Sequence, residues 1–511
     1  MKKLVLCFLI FGSKVFAQPA TEWIKYISPA DNYSAVIEPV NFLLSEKGNV
    51  MMLCDSISSP YLIQRIIPRF DSSGNSLLRF RIDSTENLPF VNFTHDQSMI
   101  CLSKYDGINH TYLSVYKYDS LGNPVWSHQT ETNYIFSALW STALDANENL
   151  IAVGVNSTPD TLFIFKFDPL GNLTWSNSFG QPNLSYQVLT TSDAAGNLFL
   201  AVNFYPTSFP EATVIKYDQA GNLEWTLPLT YNGDEHCFVS KMKADNYGIT
   251  YFTGTHEISL TSSETLVGEI SGSGMMNWNR TFPLTGANNL AQCVAFDNSG
   301  SLYSAVAGDY ESDVRKYNAD GNLAWANTLE GDTAYWCTQG GMSHVQTQLR
   351  VDEGEQVFWG HTTMEGTVIQ KFGYTGNSIW KYTDKSSGNP ITHFSDFDLI
   401  GKDIFIVGYC GSLVGDFVRK LSDPSYSSIE LINKWNSLWE VFPNPSSDAV
   451  CLHFSDSFPN QFNVRIFSEV GELFYEKENS SYLSIIDLPK GIYFLEISGK
   501  EFSTMKKLVR Q

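Results

Sequence analysis

The sequence predicts an all-β protein: a β-propeller of eight blades, with seven as the runner-up count, followed by a small β-sandwich. Three observations predict it. The segment Lys216-Tyr217-Asp218-Gln219-Ala220-Gly221-Asn222-Leu223-Glu224-Trp225 recurs along most of the chain. A second, weaker Asp-x-x-Gly turn falls between the copies. Apolar residues alternate on both sides of each turn, which is the period of strands rather than helices.

The copies stand at Lys117–Trp126, Lys166–Trp175, Lys316–Trp325 and Lys371–Trp380. Degenerate forms occupy Arg69–Leu78 and Glu269–Trp278, and a remnant ends at Asp423. In one copy Phe163, Phe165 and Phe167 alternate before the turn, and Leu173 and Trp175 after it. Asp168 suits the first turn position because its carboxylate accepts backbone N–H groups two residues on. Pro169 presets φ, and Gly171 takes the positive φ that closes a type I turn with a bulge. The weaker turn reads Asp145–Asn149, Asp193–Asn197, Asp245–Gly248, Asp297–Ser301 and Asp352–Gly354, with worn forms at Glu46–Asn49 and His95–Ser98. One unit therefore holds four strands, as in Tyr186–Ser192, Asn197–Asn203, Thr213–Asp218 and Asn222–Leu227. Unit starts lie 47 to 55 residues apart. Four short strands per ~40–50 residues is the period of a propeller blade. A single hairpin cannot cover its own Trp, so neighbouring copies must stack.

The two ends of the repeat region complement each other. Thr21–Ile27 reads as a Trp strand with no preceding partner, and the last repeat lacks its Trp strand. The N-terminal strand is expected to complete the last blade and leave no open edge there. Counted so, eight blades run from about Thr21 to Asp423; the copy at Arg69, which lacks Trp, gives the count of seven.

Met1-Lys2-Lys3, the apolar Leu4–Phe11 and the small-residue end Val15-Phe16-Ala17 read as a secretory signal peptide cleaved after Ala17. The expected organisation is signal peptide 1–17, propeller 18–423, linker 424–436 and C-terminal domain 437–511. No later stretch is long and apolar enough to span a membrane. A net charge of −21 argues against nucleic acid and anionic lipid as partners. Cys54, Cys101, Cys237, Cys293, Cys337, Cys410 and Cys451 are odd in number and scattered, so they read as small buried hydrophobes rather than a disulfide framework.

Within a blade, the stereotyped turns share one face and the irregular connections share the other, where binding usually resides. The irregular segments are Asn203–Ala212, Tyr231–His236, Gly254–Glu264, Gly308–Ser312 and Ala326–Ser343. They supply the candidate binding residues Tyr205, Phe209, His236, His256, Tyr310, Tyr335 and Trp336. Aromatic rings there suit a glycan or protein ligand. His236 and His256, near Asp234 and Glu235, read as exposed loop residues, or as metal ligands or an acid–base pair if they meet. No HExxH, G-x-S-x-G, P-loop or Ser-x-x-Lys motif occurs, and no catalytic, cofactor or metal residue is assigned. The Asp-x-x-Gly-Asn turns lack the alternating Asp/Asn run and closing Glu of a calcium loop. Three functions remain: a binding module, an extracellular hydrolase or lyase on glycan or peptide, and a structural surface component. An enzyme requires titratable side chains within hydrogen-bond reach in the channel mouth.

After Asp423 a different pattern begins. Short strands are expected at Val450–Phe454, Phe462–Ser468, Leu473–Glu476, Tyr482–Asp487, Ile492–Ser498 and Ser503–Val509. They carry Phe442-Pro443-Asn444-Pro445, then Val464–Leu473 with Gly471, then Ile486–Phe494 with Gly491 and Tyr493, and the basic end Lys506-Lys507-Leu508-Val509-Arg510-Gln511. This stretch resembles the C-terminal sorting domain of type IX secretion substrates from Bacteroidetes bacteria. The resemblance implies an address read by the type IX machinery, which takes a periplasmic protein across the outer membrane. In that family the domain is usually removed, and the cargo is released or fixed to surface glycolipid. A secreted or cell-surface location follows. The repeats resemble, more loosely, bacterial propeller repeats of the quinoprotein-like and "beta-propeller repeat" kinds, a resemblance that carries no activity.

Overall fold

The computed structural model describes residues 18–27, 33–58, 62–83, 90–107, 110–132, 134, 136, 138–157, 160–180, 187–204, 210–259, 262–283, 289–308, 311–330, 346–352, 354–363, 365–384, 392–410, 415–425, 438–455, 461–468, 473–499 and 503–511. The expected signal peptide and most of the expected linker lie outside them. Regular structure among the described residues is entirely β. The chain divides into two compact units, residues 1–351 with 357–424, and residues 425–511 with 352–356.

Eight four-stranded antiparallel sheets form the first unit among the described residues. Sheet 1 spans residues 33–83, sheet 2 90–131, sheet 3 138–180, sheet 4 187–228, sheet 5 237–282, sheet 6 289–330, sheet 7 348–383 and sheet 8 392–422. In sheets 1–7 the four strands lie side by side in chain order. Sheet 8 takes its fourth strand, Ala20–Ile27, from the N-terminal end; it pairs with Gly415–Ser422, Trp23 opposite Lys420 and Lys25 opposite Val418.

What holds the sheets together is burial between them. Each of eight apolar clusters is shared by two consecutive sheets. Leu162 and Ile164 of sheet 3 pack on Leu200 and Val202 of sheet 4. Phe405 and Val407 of sheet 8 pack on Val50 and Met52 of sheet 1. The first strand of each sheet adjoins the first strand of the next, and that of sheet 8 adjoins that of sheet 1. The unit is a propeller-like array in which no sheet has a private core.

The recurring segment explains the spacing. Gly171 lies at φ 87°, its N–H donates to Asp168 O at 2.9 Å, and Asp168 N–H donates to Asn172 O at 2.9 Å. The Asp168 carboxylate accepts the N–H groups of Leu170 (3.0 Å) and Asn172 (2.8 Å) and the Asn172 amide (2.9 Å). Asp71, Asp119 and Asp218 do the same in their turns. These oxygens are spent inside the turn, as turn chemistry requires. Position 148 and position 97 hold the same positive φ with Glu148 (60°) and Gln97 (64°), which is why the worn turns survive without glycine.

The terminal Trp of each segment latches onto the next sheet. Trp175 donates its indole N–H to Gln219 O at 3.0 Å, and its ring lies where a Cβ on Gly221 would come within 2.7 Å. Trp225, Trp278 and Trp325 make the same contact one sheet further on each time, with Gly272 O, Ala319 O and Tyr374 O. Trp23 of sheet 8 makes it with Ser72 O and Gly74 of sheet 1. Sheet 8 has no such turn of its own, so Trp380 donates instead to the Asp423 carboxylate (2.9 Å). That carboxylate also holds the fully buried Lys371 ammonium at 2.7 Å.

The second unit has a three-stranded sheet (Trp439–Phe442, Ala449–Phe454, Tyr482–Ser484) and a four-stranded one (Leu473–Glu478, Asn463–Ser468, Gly491–Ser498, Ser503–Arg510). Trp439, Val450, Leu452, Val464, Ile466, Leu495, Ile497 and Leu508 form one core between them. The strand expected over Tyr482–Asp487 stops at Ser484. Ile485 N–H makes one more bond to the paired strand at Asp448 O (2.8 Å), and Leu488 N–H then closes a turn on Ile485 O (3.1 Å).

Candidate functional site

Of the seven residues expected on a binding face, Tyr205, Phe209, Tyr310, Tyr335 and Trp336 lie outside the described residues. His236 and His256 lie within them, and the structure brings them together. The expectation of an irregular loop over Gly254–Glu264 is corrected: strands run through Thr250–Ser259 and Ser262–Ile270, and His256 pairs with Cys237 on one side and Glu264 on the other. The cause is local. Thr250–Ser259 is rich in strand-favouring residues (Thr250, Tyr251, Phe252, Thr253, Thr255 and Ile258), and His256 is paired on both sides within the sheet. His256 is thus a buried strand residue, not an exposed loop one.

Asp234 joins the two imidazoles. It sits in a tight turn in which Tyr231 and Asp234 exchange backbone bonds at 2.9 Å. Its carboxylate meets His236 Nδ1 at 2.9 Å and His256 Nε2 at 3.2 Å, and Tyr231 covers His256 with ring centroids 5.2 Å apart. The backbone N–H of His236, then the His256 ring, holds the Asp234 carboxyl below the usual carboxylate range. Nearby, burial and the Glu235 charge raise Glu211, and burial raises Glu257. Burial next to Asp234 pushes the Cys237 thiol up to about 12, which leaves no thiolate to act as a nucleophile. Among the described residues no group of three or more His, Cys, Asp and Glu side chains could hold a metal ion.

A second constellation, which the motif search did not assign, lies on the first strands of sheets 5 to 8. Cys237–Ala244 carries Lys241 and Lys243, Gln348–Val351 carries Arg350, and Thr392–Ile400 carries Asp396 and Asp398. Register shifts between Val239 and Lys241, and between Phe394 and Asp396, reset which side chains face the neighbouring sheets. Arg350 Nη2 meets Asp396 at 3.1 Å and Arg350 Nε meets Asp398 at 3.4 Å. Burial pushes the Lys243 ammonium down to about 8, with the Arg350 charge adding to it. Burial raises Asp396, against the pull of Arg350. Lys241 and Lys243 make no hydrogen bond or ion pair among the described residues, although both lie within electrostatic reach of Cys293. The signal in the sequence was Lys-Met-Lys and Asp-Phe-Asp: charges alternating with apolar residues on strands whose apolar side is packed.

In the C-terminal unit the sorting residues tie the opening loop to the last strand. The Asn444 side chain donates to Lys507 O (2.7 Å) and accepts from Val509 N–H (2.9 Å). Tyr493 donates its hydroxyl to Pro489 O (2.7 Å) at the turn before Gly491. Lys506 donates to Trp439 O, and its ammonium stands 5.0 Å from the Trp439 ring. Pro443 and Pro445 flank Asn444 in cis peptides. Gly471 lies outside the described residues. No helix among the described residues is long and apolar enough to cross a membrane.

No curated protein sequence matches the chain. Among solved structures it is similar to a eukaryotic initiation factor (9% identity, 72% of this chain and 89% of that one, TM-score 0.44). It is similar also to the β-propeller domain of the Trilobed protease from Pyrococcus furiosus, described as having an open velcro topology (10% identity, 70% and 100%, TM-score 0.40). A protein of unknown function from Bacteroides caccae is a third (13% identity, 56% and 94%, TM-score 0.29). Likenesses this distant say nothing of what the chain binds. Residues 440–511 match a family described as the secretion system C-terminal sorting domain. The C-terminal unit, with its own core and with Asn444 tying its opening loop to the last strand, carries a secretion system C-terminal sorting domain over residues 440–511.

Proposed function

We propose that this chain is a closed eight-bladed β-propeller that binds a glycan or protein ligand outside the cell, exported there by its C-terminal domain through type IX secretion. The observation that carries the export is the match of residues 440–511 to the sorting family. Closure is supported by the pairing of Ala20–Ile27 into sheet 8 and by the cluster shared between sheets 8 and 1. In this reading residues 1–17 are a cleaved signal peptide, 18–423 the propeller, 424–436 a linker and 437–511 the sorting domain. The secretion machinery is the partner of the last. Deleting residues 440–511 is expected to leave the propeller in the periplasm, measured by cell fractionation; unchanged export removes the reading.

One observation favours a second reading, an extracellular hydrolase or lyase. Asp234 places two histidines within hydrogen-bond reach of one carboxylate, an acid–base grouping. Loss of a glycan- or peptide-cleaving activity in Asp234→Asn, with the fold intact by circular dichroism, would establish it. Binding stands ahead because burial holds Cys237 as a thiol and Asp234 Oδ1 already accepts the His236 backbone N–H within the turn.

A further inference from the structure

The first strands of sheets 5 to 8 hold charge that the fold does not need. In the turn layer four lysines find carboxylates: Lys166 meets Asp145 at 2.9 Å, Lys216 meets Glu224 at 2.8 Å, Lys371 meets Asp423 at 2.7 Å, and Lys420 meets Glu22 at 2.8 Å. Lys241 and Lys243 break that pattern. They stand two residues apart on one strand, so they project to the same side, and neither has an acceptor among the described residues. Asp396 and Asp398, the carboxylates on the first strand of sheet 8, are engaged by Arg350 instead.

A third donor stands on the adjoining strand. Gln292 lies in Asn289–Phe296, on the same side as Val294, which packs against Tyr251 and Val267 of sheet 5. Its Oε1 accepts from Thr253 at 3.2 Å, whereas its Nε2 is buried with no partner. Gln292 is 4% exposed, so bulk water does not satisfy that donor. Thr253 stands opposite Lys241 in the ladder, so the Gln292 carboxamide that it bonds lies beside the lysine strand. Among the described residues no carboxylate hydrogen-bonds either ammonium, although Asp396 lies within electrostatic reach of Lys243. In a chain of net charge −21, two lysines without an ion pair, one exposed and one half-buried, next to an orphaned amide donor favour an anion.

We propose that Lys241, Lys243 and Gln292 form a binding site for an oxyanion group, a carboxylate or sulfate carried by a small ligand. Two lysines bind as point charges and tolerate either geometry, while the Gln292 amide gives direction. The inference rests on the reading of the propeller as a binding module and names the chemistry its ligand presents. The state of the lysines supports it: Lys243 is held down to about 8 by burial and by Arg350. An anion beside it restores the ammonium, so binding takes up a proton near that pH. The groups that set this are Lys241, Cys293, Arg350 and Asp396, all within electrostatic reach of Lys243.

The test uses the full chain and isothermal titration with inorganic sulfate, with glucuronate and with glucose. Saturable heat with sulfate or glucuronate, and none with glucose, is the expected result; which anion binds tells sulfate from carboxylate. Affinity is expected to fall by about tenfold or more in Lys241→Met with Lys243→Met, and to be largely retained in Lys243→Arg. It is also expected to weaken between about pH 7 and about pH 9, with proton uptake read from the buffer dependence of the heat. If the double variant does not fold, acylation of the Lys243 amine in the unaltered protein replaces it, slowed by the bound anion. Absence of saturation with both anions, or affinity unchanged in a folded double variant, or acylation indifferent to the anion, overturns the proposal. None of those outcomes touches export, which the tail deletion tests separately.

Discussion

Two regions of the same sheets use lysine in opposite ways. In the turn layer Lys371 is fully buried and lies on the Asp423 carboxylate, with Trp380 donating to that carboxylate's other oxygen. On the first strands Lys241 and Lys243 have no carboxylate of their own. The turn layer repeats because every sheet must solve the same problem, how to cover a Trp with the next sheet's turn. The first strands do not repeat, because nothing in stacking requires those charges. Periodic residues hold the array; aperiodic ones are where a ligand is met.

The contrast can be broken most forcefully at Asp423. Asp423→Ala removes the carboxylate on which the buried Lys371 ammonium lies and to which Trp380 donates. A loss of about 3–5 kcal/mol is expected from urea unfolding. A loss below about 1 kcal/mol would mean that the layer does not depend on the pair. Next is Gly221→Ala. Its φ of 87° and the 2.7 Å approach of a Cβ to Trp175 put both strain and collision at one latch. About 1–3 kcal/mol is expected, and Trp175 fluorescence should report the displaced ring.

Acid sharpens the comparison further. The Asn75, Asn123 and Asn222 side chains, then their backbone N–H groups, hold Asp71, Asp119 and Asp218 below the usual carboxylate value. Each folded value is depressed, so the stabilisation is complete above the unfolded pKa of about 3.9 and is lost as pH falls through the folded one. Thermal melts should hold steady down to about pH 4 and decline below it. Asp218→Asn, unable to lose a proton, should shrink that decline. The smallest effect belongs to the first strands: Lys241→Met is expected to change stability by no more than about 0.5 kcal/mol, since that side chain is exposed and unpaired.

Much of this architecture was legible in the chain. Asp168, Gly171 and Trp175 announce the turn and its ring by type and spacing, and Thr21–Ile27 announces the missing strand of sheet 8. Legibility failed where partners are distant in sequence. His256 read as a loop residue because its partner Cys237, 19 residues earlier, is not marked by any local pattern. Arg350 and Asp396 are 46 residues apart and belong to different sheets, so no local pattern links them. The strand ending at Ser484 was missed for a local reason: Leu488 N–H closes a turn on Ile485 O just after it.

From its residues alone this chain settled the four-strand period, the turns, and the kind of domain at its end. Those depend on contacts of nearest neighbours, repeated often enough to be read. The tertiary structure alone decided which charges meet on the first strands and which are left without a partner. Bulges there change the facing of side chains by one residue, and a change of facing reverses what a strand presents to the sheets beside it.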